Sequence, residues 1–407
     1  MEYRGIIPIN RPDLHSGDLE RYYQYTISSI PDTLAINDMQ NKFRELIGDG
    51  YYALFTPSAK VGLYLLLNTI KPPLIKTTPL ICFNALAPII ASGARPYYID
   101  IDDKTFNMDP EKLLSSVRYA NEVIMLTYLG GQPYDIEPIL QYARDRKIPV
   151  IEDVAQALGA RLGDQYLGTL GDHAIFSFSK HLALVGGGMV ITRDMDLYEK
   201  MWKQQNEWEL LDEEVIKYRF NRDMSEYRLG TEADDDNYRM NYVSGRAPYK
   251  ELDPETLFSE QGVLKRPLGI QAAVINNQLD RLENMVTRRQ QNANRLKDKI
   301  SRIEGIQMQE YIGTPAYGKF YITTTKSARE TIEKLNNMNI DAKHITKSHG
   351  IYIQERIDKS EYYYDESIHA CRNYMDVHER IIELPLSSNM RDHEVITISE
   401  ALQKVTS

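Results

Sequence analysis

Three features that can do chemistry fall between Val150 and Thr192. An acid, Asp153, closes the apolar run VIED. A lone lysine, Lys180, stands in the polar turn SFSK. Three glycines, Gly186 to Gly188, lead into a second apolar run, MVIT. A carboxylate beside a pyridine nitrogen keeps that nitrogen protonated, and a lysine amine condenses with an aldehyde. A glycine run lies nearby. These types suit a pyridinium cofactor held with an amine, which favours pyridoxal 5′-phosphate (PLP). The competing readings are plain: an acid after a strand is often a helix cap, and most lysines are solvated. The elements around them decide whether they meet.

Apolar strand-like runs alternate with helical patterns through the first half of the chain. Ile36, Met39, Phe43 and Ile47 recur at helical spacing, and Gly48 and Gly50 end that helix. YYALFT reads as a strand running into a helix, PSAKVGLYLLLNTI, with Ser58 at its N-cap. That turn either caps a helix or offers backbone N–H groups to a phosphate. Strands are expected at Leu80–Phe83, Pro96–Ile101, EVIMLTYL and KIPVIEDV. Helices are expected at Ala85–Ser92, in DPEKLLSSV with Asp109 as N-cap, and in IEPILQYARDR. Such alternation implies βαβ units and a mostly parallel sheet, whose ligands bind beyond the carboxyl ends of the strands. Ser58, Cys82, Tyr128 and Asp153 lie at or near such ends.

Residues 1–20 read as an extended arm with Pro8 and Pro12. Residues 203–265 form a polar, tyrosine-rich insertion around EADDD, expected as a solvated excursion with short helices. RPLGIQAAVINNQLDRLENMVTRRQQNANRLKDKI reads as one helix, with Ile270, Ala273, Val274 and Asn277 on one face, bridging to a second domain. The remaining strands and helices fit a smaller α+β unit. The partition is a large α/β domain at 1–265 and a bridging helix with a small domain at 266–407.

Composition narrows the classes. A chain of 407 residues, 42% hydrophobic and 26% charged, suits an ordinary soluble globular protein of two or three domain-sized units. A net charge of −10 argues against a nucleic-acid partner. The two cysteines, Cys82 and Cys371, form no CxxC motif, so no metal or redox dithiol is suggested, and reduced thiols fit the cytoplasm. The amino-terminal stretch lacks the apolar core of a signal peptide. The most apolar run, PLICFNALAPIIASGA, is broken by Asn84 and Pro88 and is too short to span a bilayer.

Several stretches, in order, resemble the DegT/DnrJ/StrS-like sugar aminotransferases: KFRELIGDGYYALFTPSAKVGLYLLL, ASGARPYYIDIDDKTFNMDPEKL, TYLGGQPYDIEPI, IEDVAQALGA, RPLGIQAAVINNQLDRL and ELPLSSNM. The resemblance covers nearly the whole chain. It implies a fold-type I PLP enzyme that moves an amino group, with glutamate the expected donor, to a keto-sugar, expected to be nucleotide-linked. A homodimer with shared active sites is also implied. A PLP-dependent sugar dehydratase and a non-catalytic PLP-fold protein are the alternatives.

By the same resemblance, Lys180 is the Schiff-base lysine, Asp153 the partner of the ring nitrogen and Gln156 the residue near the ring hydroxyl. One branch of the family has histidine at the lysine position and dehydrates sugars; here the register favours Lys180 over its neighbour His181. Some features depart from the family. SFSK is shortened, which leaves the phosphate serine between Ser177 and Ser179, with Ser177 preferred. The phosphate turn reads Ser58-Ala59-Lys60. The position that stacks an aromatic ring on the cofactor falls on Cys82, with Phe83 next. Tyr128 stands where histidine is common, and the asparagine contributed across the subunit interface falls on Leu264. NYRM at Asn237–Met240 resembles that asparagine motif by coincidence.

Overall fold

The computed structural model describes residues 6–9, 11–27, 32–231, 258, 263–345 and 365–406. The acidic run Glu232–Asp236, the sequence Asn237–Met240 and most of the polar stretch from Ser348 to Tyr374 lie outside them.

Seven strands form the central sheet: β1 (Tyr52–Thr56), β2 (Leu74–Thr77), β3 (Arg95–Tyr98), β4 (Glu122–Thr127), β5 (Val150–Asp153), β8 (His173–Ser177) and β9 (Gly188–Thr192). The pair β6 (Arg161–Leu162) and β7 (Gln165–Tyr166) makes a separate hairpin. The order across the sheet is β1-β9-β8-β5-β4-β2-β3. From β8 to β3 all pairings are parallel, and only β9 runs against its neighbours. The strands are buried along almost their whole length, as parallel strands covered on both faces must be. The expected α/β sheet is therefore present.

Among the described residues, helices precede, interleave with or follow these strands: α1 (Ser16–Ile27), α2 (Asp32–Ile47), α3 (Ala59–Ile70), α4 (Phe83–Ala91), α5 (Pro110–Leu114), α6 (Glu137–Arg146), α7 (Met195–Asn206) and α8 (Glu213–Thr231). Helix α2 buries Ala35, Met39, Phe43 and Ile47. Phe43 meets Phe176 and Phe178 edge-on, with ring centroids 5.0 and 5.7 Å apart. Such aromatic pairs add about 1 kcal/mol beyond the area they bury. Because these two phenylalanines flank Ser177, the packing of α2 also fixes the strand end that leads into Lys180.

A second sheet of four antiparallel strands, β10 (Ile306–Met308), β11 (Phe320–Thr324), β12 (Lys343–His344) and β13 (Ile381–Leu384), is ordered β10-β11-β13-β12. Helices Leu282–Ile300, Ala328–Asn337 and Asp392–Thr406 share its core.

Four expectations need correction. The strand placed at Leu80–Phe83 is instead Leu74–Thr77, and Phe83 begins α4. The true strand carries Lys76, a fully buried cation whose amine lies 3.1 Å from Glu122 and 2.9 Å from Ser116. The bridging helix is two helices, Gly269–Leu279 and Leu282–Ile300, and the first is buried on nearly all sides rather than along one face. The arm ends at residue 15, after which α1 begins; beyond Pro12 nothing in the sequence opposes a helix. The insertion contains α8, nineteen residues long, rather than short helices alone. No helix among the described residues is long and apolar enough to cross a membrane.

Candidate active site at the carboxyl edge of the sheet

The antiparallel strand β9 builds one half of the site. Since it runs against β1 and β8, its first residue lies beside their last ones: Gly188 pairs with Thr56 on one side and with Ser177 on the other. Ser58 bridges Gly187, and the Phe178 amide donates to the Gly187 carbonyl at 3.1 Å. The glycine run thus joins the Ser58 turn to the SFSK turn. A Cβ on Gly188 would collide with the backbone nitrogen of Ala59, so only glycine permits this approach.

Ser58 occupies the N-cap of α3 in an extended conformation, but its hydroxyl makes no capping hydrogen bond. Its carbonyl accepts from Val61 and Gly62, while the N–H groups of Ala59 and Lys60 precede the first bond of the helix ladder. On the other side, the Ser177 and Ser179 hydroxyls lie 3.1 Å apart. Two helix-start amides, three hydroxyls and the Lys60 amine are donor groups of the kind that hold a phosphate.

Asp153 closes β5 one strand away from β8, opposite Thr127 of β4. Its carboxylate is buried, and the one hydrogen bond it accepts among the described residues comes from the Ala155 N–H at 3.0 Å. Burial pushes its pKa up to about 6, against the opposing pull of that hydrogen bond and of Lys180. Lys180 ends a short 3-10 turn, Phe178–Lys180, after β8. The side chain reaches solvent, yet protein crowds its amine. Loss of water, and then the nearby cation Lys319, hold the amine below the usual lysine range, although Cys82, Glu383 and Asp153 pull it upward. Cys82 lies within electrostatic reach of both Asp153 and Lys180, its thiol raised first by burial and then by Asp153. Acid, amine and thiol from three separate segments therefore converge.

Other expected site residues fall differently. Phe83 packs into the apolar clusters around Leu86 and Phe258. Tyr128 is buried and donates from its hydroxyl to Glu152 at 2.5 Å. Gln156 accepts from the Gly130 amide at 2.8 Å, tying its side-chain carbonyl to the turn after β4. His181 is buried and, among the described residues, neither ring nitrogen has a hydrogen-bond partner; burial, then Arg289 and Lys180, hold it well below the usual histidine range. Leu264 packs with Ala87 and Phe258 of its own chain.

The sequence reading missed two supports. Glu152, buried next to Asp153, accepts from Tyr128 and from the amides of Gly168, Leu170 and Gly171, which pins the loop behind β5. Its place beside Asp153 in a strand is a signal, since neighbouring strand residues face opposite ways. Lys319 forms an ion pair with Glu383 of β13 beside Lys180. Nothing in KFYITTT or IIELPLS announces this pair.

The donor set fits PLP: a shielded carboxylate for the ring nitrogen, a perturbed amine for the aldehyde, and a cradle too tight for any Cβ at Gly188. Among the described residues no group of His, Cys, Asp and Glu is arranged to hold a metal ion. The architecture is that of fold-type I PLP-dependent proteins. The chain belongs to the DegT/DnrJ/EryC1/StrS aminotransferase family, whose model matches residues 34–403. It is 27% identical over 382 residues to spore coat polysaccharide biosynthesis protein SpsC of Bacillus subtilis, covering 91% of this chain and 89% of that one. Among solved structures it resembles the aminotransferase TlmJ from Streptoalloteichus hindustanus, with a TM-score of 0.75 and 20% identity over 98% of both chains. A second is the E. coli GDP-4-keto-6-deoxy-D-mannose-3-dehydratase with bound hydrated PLP, with a TM-score of 0.74 and 18% identity over 100% of both chains.

Proposed function

We propose that the protein is an aminotransferase that moves an amino group from an amino-acid donor of the glutamate class to a keto-sugar carried on a nucleotide. The observation that carries this reading is that Lys180, the buried Asp153 and Cys82 come from three separate segments to lie within electrostatic reach of one another at the carboxyl edge of the sheet. Bound PLP supplies an electron sink for carbon–nitrogen chemistry. The chain's own groups do the rest. Asp153, water-poor and weakly solvated, holds a proton on the ring nitrogen. Lys180 holds the aldehyde carbon and, once released, carries a proton between carbon atoms; a depressed pKa leaves more of it neutral near pH 7. Ser58, Ala59, Lys60 and Ser177, with Ser179 within hydrogen-bond distance of Ser177, bind the phosphate. Gln156 lies near the ring hydroxyl, and Cys82 rather than an aromatic residue lines the ring face.

Amino transfer is favoured over sugar dehydration because Lys180 lies within electrostatic reach of both Asp153 and Cys82, whereas His181 is buried and feels Arg289 and Lys180. The reading includes a cytoplasmic homodimer whose sites are completed across the interface.

Borohydride reduction of the PLP-loaded protein should leave a stable mass adduct on the peptide containing Lys180. Lys180→Ala should remove it, and an adduct that survives the substitution would sink the assignment. A screen of amino donors should convert the yellow protein to its amine form with release of the matching keto acid. Keto acid release followed by amination of a keto-sugar nucleotide supports transfer; loss of a sugar hydroxyl instead points to dehydration. Bound PLP with no half-reaction from any donor favours a non-catalytic role.

A further inference from the structure

Helix α8 is held in place by apolar contacts on its inner side. Ile216 is buried, and Phe220 stacks on Tyr22 of α1 with ring centroids 4.2 Å apart. Between these anchors stands Arg219. Its Nη1 donates to the Val185 carbonyl at 3.3 Å, and a Cβ on Gly186 would land on its guanidinium, so the cation lies directly against the glycine backbone. Gly186 adopts φ +66°, a left-handed conformation that glycine adopts readily, and has no side chain to keep the arginine away. One turn further along α8, Asp223 accepts from the Leu184 amide at 2.6 Å. Arg219 and Asp223 together clasp the turn Leu184–Gly186.

That turn is the one feeding the cradle. The next residue, Gly187, bridges Ser58, and the one after it packs against Ala59. Lys60, in the first turn of α3, feels the charge of Arg219 across the same small space. Burial first and then Arg219 push its amine down to about 8. Two cations are thus gathered at the positive end of a twelve-residue helix. A bound dianion lowers the energy of such an arrangement, and a guanidinium matches phosphate geometry better than an ammonium does.

We propose that Arg219, acting with Lys60, is a phosphate ligand that this chain supplies to its own cofactor site, and that α8 is latched to the triple glycine to deliver it. The proposal rests on the PLP reading above and adds to it a residue from the polar insertion. It also gives the Arg219–Lys60 pair a task that the serines and helix amides alone leave undone, neutralising a doubly charged group.

The test compares PLP with pyridoxal, which has the same ring and aldehyde but no phosphate. Each is titrated into the cofactor-free full-length protein and followed by ring absorbance, in wild type, Arg219→Gln, Arg219→Lys and Lys60→Gln. Arg219→Gln should weaken PLP about 10- to 100-fold, the range for losing a charge-assisted hydrogen bond, while pyridoxal affinity stays within about twofold. Arg219→Lys should recover part of the loss. Inorganic phosphate should compete with PLP in wild type and do so more weakly in the glutamine variant. Equal weakening of PLP and pyridoxal would show a merely structural role and overturn the proposal, as would unchanged PLP affinity. If Arg219→Gln fails to fold, the Lys60→Gln and Arg219→Lys titrations decide by the same ratio. Wild type that binds neither compound overturns the cofactor reading itself, an outcome distinct from a failure confined to the variants.

Discussion

Asp153 holds a negative charge in a place where water barely reaches and a single backbone amide donates to it. Burial makes that charge costly even with Lys180 within electrostatic reach. Its pKa of about 6 lies above the ordinary aspartate value, so the folded protein binds this proton more tightly than the unfolded chain does. The stability contributed by the protonated acid is full below the unfolded pKa near 4 and is lost as pH rises through about 6. Asp153→Asn should therefore stabilise the cofactor-free protein near pH 7 by about 2–3 kcal/mol and leave it unchanged near pH 3.5. Denaturant unfolding at both pH values measures the difference; a variant no more stable at pH 7 contradicts the burial argument. With PLP present the ordering should invert, because the variant loses the charge that holds the pyridinium.

At the scale of single elements, the sequence was most readable where local chemistry and burial agree. The run ending at Asp153 is apolar, short and bounded by turn residues, and it is a strand as expected. The glycine run Gly186 to Gly188, visible in the sequence beside the acid and the lysine, brings the Ser58 and SFSK turns together. The reading failed where a long-range partner reverses the local signal. Lys76 makes the Leu74–Thr77 strand look too polar for an interior position, until Glu122 of the neighbouring strand neutralises it. Leu80–Phe83 is more apolar, yet Phe83 opens a helix. Helix Gly269–Leu279 defeats a one-face reading because it is enclosed on nearly all sides, with Gln271 and Gln278 satisfied by the Val185 and Ala183 carbonyls. The same dependence on neighbours sets the cost of changing β9. Gly188→Ala forces a methyl against the Ala59 backbone, which cannot rotate away as a side chain can. A loss of about 1–3 kcal/mol is expected, with a larger proportional loss of PLP affinity than of pyridoxal affinity. Thermal melts and paired titrations check both parts.

Across the whole molecule, the two ends of the chain are stitched together. Ile7 bridges Ile340, and the Asp13 carboxylate accepts from Ser388 at 2.8 Å. Arg11 grips Glu394 with both guanidinium nitrogens, at 2.9 and 2.5 Å, with both side chains buried. Burial alone would raise the pKa of Glu394, but Arg11 and the Arg391 amide hold it below the usual range. Removing one partner strands the other, so Arg11→Met should cost about 3–5 kcal/mol, and adding Glu394→Gln should restore part of that. Equilibrium unfolding of the single and double variants measures the coupling. Additive losses would mean that the pair contributes nothing as a pair.

The antiparallel strand β9 has a consequence in time. It pairs Tyr52 with Thr192 and Thr56 with Gly188, contacts that span a third of the chain, and it must slot between β1 and β8 to do so. Pairings of such long sequence separation form late, because loop closure precedes any reward. Before that insertion the Ser58 turn and the SFSK turn have nothing to join them. Competence to take up cofactor is therefore a late event on the folding path. A nascent chain that has not yet delivered Thr192 lacks the strand that joins the two turns.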